Sequence, residues 1–519
     1  MDIIDDKAVV FRTRNPEKYK IIPKHKVIER DDGGFDVAVY WGLDEARVLK
    51  NLGVKEIQSP IIRRYSWPGR YKPMAHQVDT AAFLTMHKRA FCFNDPGTGK
   101  TLAALWAADY LMKLGFVRRV LVLCPLSIMH SAWLSDLNNS IIHRSAIVAH
   151  HTKSSRRIEM IQQDYEFVIC NYDGLNLIAD EVINDGRFDL VIVDEANAYK
   201  TVTTKRWKTL KSIINPKTHL WMMTGTPASQ SPADAYGLAK LVNPDNVPLF
   251  YTGWRDSVMN KITLYKWAPK PDARDRVFQA LQPAIRFSKD QCLDLPPVMT
   301  LTREVPLTPQ QAKYYNLLKD QMLVQAAGEV ITAINAAAML SKLLQVSAGA
   351  ALTDTKEVVE FDAGPRLGVL EEILEETNRK VIIFALFRAS IETIQRHLTS
   401  RGITNECIHG GVSANKRGDI IHRFQTDPDP RVLVMQPQAT AHGITLTAAD
   451  TVVFYGPLMS VEQYIQCIAR ADRKGQDSDK VTVFHIQSSP VEAKMFKALA
   501  AKVSDSSLLT EMFTLEINS

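Results

Sequence analysis

Three short stretches carry residue types whose spacing suits chemistry on a nucleotide. The first is NDPGTGKT, residues 94–101, entered from the apolar run RAFCF and left through KTLAALWAADYLMKLG, which has helical composition. Strand, glycine-bearing loop and helix in that order are the setting of a phosphate-binding loop. Gly97 and Gly99, flanking Thr98, would let backbone N–H groups close on phosphate, and the helix N-terminus would add a positive field. Lys100 would reach the β- and γ-phosphates of ATP, and the Thr101 hydroxyl would bind Mg²⁺. The strict pattern asks for glycine at the position held by Asn94.

The second stretch is VIVDEANAYK, residues 191–200. Two carboxylates ending a buried apolar strand are costly unless they serve a cation or a proton transfer. Asp194 would hold Mg²⁺ through water, and Glu195 would polarise the attacking water. The third is SVEQYIQCIARADRKGQ, residues 460–476. Ser460 and Gln463 form a capping box, Val461, Tyr464, Ile465 and Ile468 an apolar stripe, and Gly475 a stop, so the spacing predicts one helix. Gln466, Arg470 and Arg473 then share a second, polar face. On that helix alone, arginines in a last turn could simply complement the helix dipole.

The elements that must position these residues are legible as unbroken apolar runs. RAFCF, VLVLCP, AIVAHH, FVICNY, LVIVDE and LWMMTG fill residues 89–225; VIIFAL, ITNECIH, RVLVMQ, TVVFYG and VTVFHI fill 381–486. Such runs, spaced to leave room for crossover helices, predict parallel strands covered on both faces. The expected fold is therefore α/β, with two RecA-like, doubly wound parallel-sheet lobes, a helical insertion between them and a small α+β N-terminal module. The expected boundaries are 1–65 for the module, 66–245 for the first, ATP-binding lobe, 246–364 for the insertion and linker, and 365–519 for the second lobe. In the module, DDGG at 31–34 suggests a hairpin and LDEARVLKNLG a helix ending at Gly53. DTKEVVEFDAGP, 354–365, reads as a linker.

Bulk properties narrow the function classes. A chain of 519 residues exceeds one core's comfortable size, and 46% hydrophobic with 23% charged residues is an ordinary globular balance. No apolar run reaches the ~20 residues that span a bilayer, and MDIIDDKAVV lacks the features of a signal peptide. The six cysteines contain no CxxC pair, which argues against a zinc site or disulfide scaffold and for a reducing cytosol. The net charge is +6, and residues 1–72 carry 15 Lys and Arg against 11 Asp and Glu, a mild bias that permits nucleic-acid binding.

In chain order, PMAHQ (73–77), NDPGTGKT, CPLSIMHSAW (124–133), NYDGL (171–175), DEAN, TGTP (224–227), HGG (409–411), GITL (443–446) and QCIARADRKGQ resemble the motifs of superfamily 2 helicases. TGTPASQSPADAYGLAKLVNP, AIRFSKDQCLDLPP and TAADTVVFYGPLMSVEQYIQCIARADRKGQ are most similar to the Swi/Snf branch of double-stranded-DNA translocases, over roughly residues 66–500. The resemblance implies that Gln77 reads adenine and that Gly97, Thr98, Gly99, Lys100 and Thr101 hold ATP and Mg²⁺. It implies that Asp194 and Glu195 run hydrolysis, that Thr224, Thr226 and Gln466 couple ATP state to DNA contact, and that Gly443 lies in the second lobe's coupling loop. Arg470 and Arg473 would be arginine fingers. Ser127, Asn171, Lys200 and His409 are the candidate DNA-backbone contacts.

The chain departs from the branch in Asn197, where histidine is usual, in Leu458-Met459-Ser460, which replaces Trp-Asn-Pro, and in Arg286 followed by Phe287 rather than by a second arginine. Asn197 implies altered coupling rather than a dead enzyme. RRYSWPGRYK (63–72) mixes cations with Tyr65, Trp67 and Tyr71, which would suit base stacking, packing beside adenine or anchoring of the module. The module itself is similar to the small recognition modules of annealing helicases, with a structural cap as the other reading. The expected function is an ATP- and Mg²⁺-dependent motor on bare duplex or branched DNA, remodelling forks, junctions or bound proteins. It would be a compact bacterial or viral monomer in the bacterial or host cytosol, with no membrane contact. The rival readings are a strand-separating DNA or RNA helicase, a non-catalytic ATP-dependent clamp, and the motor subunit of a restriction system.

Overall fold

Alternating and unbroken apolar runs build different sheets in the computed structural model. It describes residues 1–225, 227–228, 231–263, 267–292, 298–328, 333–352, 357–440, 444–473, 475–478 and 480–501. Thr226, Gly443, the run at 293–297 and the start of the expected linker at 354–356 lie outside the described residues.

The N-terminal strands β1 (Asp2–Ile4), β2 (Ala8–Thr13), β3 (His25–Glu29) and β4 (Phe35–Tyr40) form an antiparallel sheet in the order β1-β2-β4-β3. Val9 and Phe11 pair with Val39 and Val37, so one face is buried. The DDGG stretch makes the expected hairpin between β3 and β4, with Gly33 at φ +74°. Helix Leu43–Asn51 follows and stops before Gly53, whose φ of +84° is readily adopted by glycine.

The next strands are β5 (Arg89–Cys92), β6 (Arg119–Cys124), β7 (Ala146–Val148), β8 (Phe167–Asn171), β9 (Phe188–Val193) and β10 (His219–Met223), one for each apolar run of the first region. After a hairpin of β11 (Met259–Lys261) and β12 (Trp267–Pro269), the two-residue β13 (Ala284–Ile285) adds to the edge. The parallel sheet runs β13-β5-β10-β9-β6-β8-β7.

The second parallel sheet begins with β14 (Val298–Glu304). A hairpin of β15 (Ala350–Leu352) and β16 (Val358–Glu360) intervenes, and β17 (Lys380–Phe384), β18 (Asn405–Ile408), β19 (Val432–Met435), β20 (Ala449–Phe454) and β21 (Val481–Gln487) complete it. Its order is β14-β21-β20-β17-β19-β18. Along β17, Val381 and Ile383 pack in one hydrophobic cluster with Leu370, Ile373, Ile391 and Ile394, while Ile382 and Phe384 pack in another with Ile420, Phe424 and Tyr464. Successive residues on opposite, helix-covered faces are the signature of a doubly wound sheet. Both lobes are thus parallel-sheet α/β units.

The chain divides into two compact units: residues 1–227, 235–254 and 275–292, and residues 228–234, 255–274 and 293–519. The segment expected as one helical insertion, 246–364, is shared out between them. β13 extends the first sheet and β14 the edge of the second, pairing with β21 from Val298–Val481 to Glu304–Gln487. Both are edge strands with little burial, so neither shows as an apolar run. Part of the expected linker, Val358–Glu360, is the exposed strand β16.

The N-terminal module is not free-standing. Val39, Trp41 and Leu49 share one hydrophobic cluster with Leu84 and Trp106. Tyr65 OH donates to Asp109 Oδ2 (2.6 Å), while Arg144 Nε (2.7 Å) and His143 Nε2 (2.9 Å) meet Oδ1. Tyr65 also packs edge-to-face on Trp67 and Tyr110, and Trp67 on Trp106, so these aromatics anchor the module rather than stack on a ligand. Burial pushes the fully buried Asp109 carboxyl up, but Tyr65, Arg144 and His143 outweigh it and hold it below the usual range. Asp109→Ala leaves the buried Tyr65 hydroxyl without its acceptor and takes one of its two carboxylates from Arg144, which keeps Glu166; it is expected to cost about 1–3 kcal/mol, read as a drop in Tm.

Two buried histidines make the fold acid-sensitive. Burial holds His219 and His485 down to about 4, from an ordinary 6.5; His485 also stacks on Phe496 at 4.1 Å. The native state binds fewer protons than the unfolded chain between those values. Their stabilisation is therefore complete above about pH 6.5 and is lost as pH falls toward 4, by on the order of 2–3 kcal/mol each. Denaturant midpoints measured from pH 7.5 to 4.5 are expected to fall, and His485→Gln to flatten the profile.

Candidate nucleotide and DNA site

β5, buried from Ala90 to Cys92, runs through Phe93 into the loop, and helix Lys100–Lys113 starts at its far end. Gly97 sits at φ +88° and Gly99 at φ +77°, both left-handed. A Cβ on Gly99 would lie 2.1 Å from Gln77 Nε2 and would displace that amide, while the positive φ itself favours glycine. No side chain caps the helix, and its first-turn N–H groups are available to an anion. Lys100 Nζ donates to the Asn94 carbonyl at 2.7 Å, and the buried Thr98 hydroxyl donates to Asp95 O at 2.8 Å. Thr101 lies in the first helical turn, half-buried.

Gln77, only 2% exposed, is packed against this loop. Its Oε1 accepts from Met74 N–H (2.9 Å), and Nε2 donates to the Thr98 and Gly99 carbonyls (3.4 Å each). Neighbouring His76 meets Thr98 O through Nε2 at 2.8 Å.

Asn94 has a structural reason to replace glycine. Its Nδ2 donates to Thr80 Oγ1 (2.8 Å), and its Oδ1 accepts from Phe287 N–H (3.0 Å). Asp95 repeats the link: its N–H donates to Phe287 O (3.0 Å), and its Oδ2 accepts from Lys289 N–H (3.1 Å). The loop is thus laced to the segment after β13, where Phe287 also faces the His76 ring at 6.0 Å.

Asp194 and Glu195 follow β9. Asp194 is 8% exposed; its Oδ2 accepts from the Trp133 indole N–H and its Oδ1 from Glu195 N–H, both at 3.0 Å. Burial pushes its carboxyl up, while Lys100 and these two donors pull it back. Glu195 is held at φ +48°, ψ +57°, a strained conformation for a residue with a side chain. Tyr172 OH donates to the Asp194 carbonyl at 2.6 Å. Asn94 and Phe287 stood out in the sequence only as departures from a family pattern, and Trp133 and Tyr172 only as members of quoted motifs; none of the four was given a role in the site.

Buried Thr224 follows β10, with its N–H on Cys92 O (3.0 Å), and a Cβ on the next residue, Gly225, would lie 2.7 Å from Pro96 Cδ. That loop therefore leans on the phosphate loop. Ser127 lies in the turn Leu126–Ile128 after β6. Asn171 ends β8, half-buried, its Oδ1 accepting from Arg157 Nη1 at 3.0 Å. Lys200 closes the turn Ala196–Tyr199, also half-buried. All these residues sit beyond the carboxyl ends of parallel strands of one sheet, the edge where open α/β sheets bind ligands. Thiols at the same strand ends are inert: burial pushes Cys92 up to about 11 and Cys170 up to about 12.

On the second unit, half-buried His409 follows β18 and accepts Gly411 N–H on Nδ1 (3.1 Å). Ser460 Oγ caps its helix by accepting Gln463 N–H at 3.3 Å. That helix, however, spans only Val461–Ile468. Gln466 is on it, buried, but Arg470 and Arg473 stand in the turns beyond, so the single polar face expected across all three is not helical. Leu446 N–H takes the Arg470 carbonyl (2.9 Å), and Gln476 Nε2 takes Ala471 O (3.0 Å) and Ala449 O (2.8 Å). These tertiary bonds divert the carbonyls a longer helix would use. Arg470 itself is 6% exposed, with Nη1 on Ile444 O at 3.4 Å.

Residues 76–348 match the SNF2-related domain. The chain belongs to that family. Residues 366–475 of this SNF2-related chain match the helicase conserved C-terminal domain. Mouse chromodomain-helicase-DNA-binding protein 1-like is 23% identical over 88% of this chain and 52% of its own length. Zebrafish chromodomain-helicase-DNA-binding protein 1-like is 24% identical over 82% and 43%. The chain thus spans about half the length of these curated relatives. The uncharacterized ATP-dependent helicase YqhH of Bacillus subtilis is 23% identical over 88% of the chain and 83% of its own length. Among solved structures, the Sulfolobus solfataricus SWI2/SNF2 ATPase core in complex with dsDNA is similar at a TM-score of 0.41 and 20% identity, covering 87% of this chain and 96% of that one.

The residues present suit ATP and Mg²⁺. Two left-handed glycines ahead of a helix start, a lysine on a loop carbonyl and a buried carboxylate that feels the lysine's charge are the donor set of a phosphate-and-magnesium site.

Proposed function

We propose that this SNF2-related protein is a DNA-dependent ATPase that translocates on duplex DNA and remodels forks, junctions or bound proteins. The observation that carries the reading is the convergence of Lys100, Asp194 and Glu195 at one sheet edge, beside strand ends that carry Ser127, Asn171 and Lys200. The names of its relatives support DNA as the substrate.

In this reading the N–H groups of the loop and Lys100 bind the phosphates, and Gln77 contacts adenine. Thr101 and Asp194 hold Mg²⁺, which neutralises phosphate charge. Glu195 takes a proton from the attacking water as it bonds to the γ-phosphorus and the bond to ADP breaks. Arg470 and Arg473 serve as arginine fingers, and Thr224, Thr226, Gln466 and Gly443 relay the nucleotide state. The DNA contacts, His409 included, are to phosphates and carry no sequence information.

The test is ATP hydrolysis by purified protein with Mg²⁺, alone and with linear duplex, forked DNA, single-stranded DNA or RNA, with Lys100→Ala as control. Stimulation by duplex or fork that the variant abolishes supports the translocase. Stimulation by single strands or RNA alone points to a strand-separating helicase, and binding without turnover to a clamp.

A further inference from the structure

The Asp194 carboxylate and the backbone carbonyls of Asp194 and Glu195 are held by residues from neighbouring strand ends. Trp133, fully buried, lies on the wide turn Met129–Leu134, whose hydrogen bonds are of π-helical type. Such turns are frequent at functional sites because the extra residue re-aims a side chain. Here the indole is aimed at Asp194, and its N–H meets Oδ2 at 3.0 Å. The turn follows directly on Leu126–Ile128, which contains Ser127.

Tyr172 comes from the end of β8, which pairs with the far side of β6. It opens helix Tyr172–Asp185 immediately after Asn171, and its hydroxyl donates to Asp194 O at 2.6 Å, with Glu195 O at 3.4 Å. Its ring meets the buried Tyr199 edge-to-face at 5.6 Å and 88°, and Lys200 follows Tyr199. The peptide that holds Glu195 in its left-handed conformation is thus fastened to the segment bearing Asn171 and packed against the one bearing Lys200.

We propose that Trp133 and Tyr172 are positioning residues through which the strand-end loops bearing Ser127 and Asn171 set the Asp194 and Glu195 carboxylates, so that DNA phosphate on those loops accelerates hydrolysis. Trp133 orients Asp194 toward Mg²⁺ by occupying one lone pair of Oδ2. Tyr172 fixes the backbone turn that aims Glu195 at water. Shifting either loop shifts its donor, and with it the carboxylate. The coupling half rests on the DNA-dependent ATPase reading; the Mg²⁺ half does not.

Trp133→Phe removes the N–H and keeps an aromatic ring. Equilibrium binding of a non-hydrolysable ATP analogue is titrated with Mg²⁺, and repeated in EDTA. The expected result is a half-saturating Mg²⁺ concentration raised about tenfold or more, with affinity in EDTA unchanged. A shift below about threefold, or equal losses with and without Mg²⁺, overturns the role of Trp133, and neither outcome depends on DNA. Tyr172→Phe removes only the hydroxyl, and the readout is the ratio of ATPase rates with and without duplex. A ratio reduced about fivefold or more, with KM for ATP unchanged, supports the coupling. An equal fall in both rates overturns it. A wild-type rate that no nucleic acid stimulates rejects the DNA-dependent reading itself and leaves the Mg²⁺ result standing.

Discussion

Replacing Glu195 by glutamine is expected to cut ATP turnover by about 10²–10⁴-fold while nucleotide stays bound. The substitution keeps shape and size but removes the carboxylate proposed to accept the water's proton. Asp194 keeps both its donors, from Trp133 and from residue 195's own N–H, so the carboxylate proposed to hold Mg²⁺ is undisturbed. Glutamine also keeps the strained φ of +48° that Tyr172 helps to hold. The loss should therefore fall on kcat, with analogue affinity within about twofold of wild type by fluorescence titration. Weakened binding in proportion to the lost rate would mean that Glu195 holds the nucleotide rather than activates water.

A comparable loss is expected at Arg470. Removing an arginine finger costs about 10³–10⁵ in kcat, and Arg470→Ala should show that range in single-turnover hydrolysis. Arg470 is the more buried of the two arginines, and the backbone bond from Leu446 N–H to its carbonyl is untouched by a side-chain change. A Tm close to wild type, with turnover abolished, separates a catalytic loss from unfolding. Arg470→Lys should not restore the rate, because a point charge cannot reproduce the planar fork. A variant that retains most of its rate would remove Arg470 from the finger role and leave Arg473 as the candidate.

How far the site was readable in the sequence follows from which constraints are local. The phosphate loop was legible because its chemistry demands glycine at positions with positive φ and a lysine at the helix start, all within eight residues. The parallel strands were legible because burial on both faces leaves an unbroken apolar run. β13 and β14 were not, since an edge strand half open to solvent has no such run. The helix over 461–468 showed its cap and stripe, but its end is set by Gln476 and Leu446, whose bonds to the following turns no local pattern announces. Asn94 looked like a defect in a motif; only its partners Thr80 and Phe287, far away in sequence, make it a fastening. Trp133 and Tyr172 stood in quoted motifs with no role assigned, because their polar atoms find their partners beyond another strand.

The central claim, that this chain moves along duplex DNA on ATP, is tested most directly by displacement of the third strand from a DNA triplex. Purified protein with ATP and Mg²⁺ is predicted to release the third strand without separating the duplex, and Lys100→Ala to release none. ATP hydrolysis at full duplex-stimulated rate with the triplex left intact would contradict translocation.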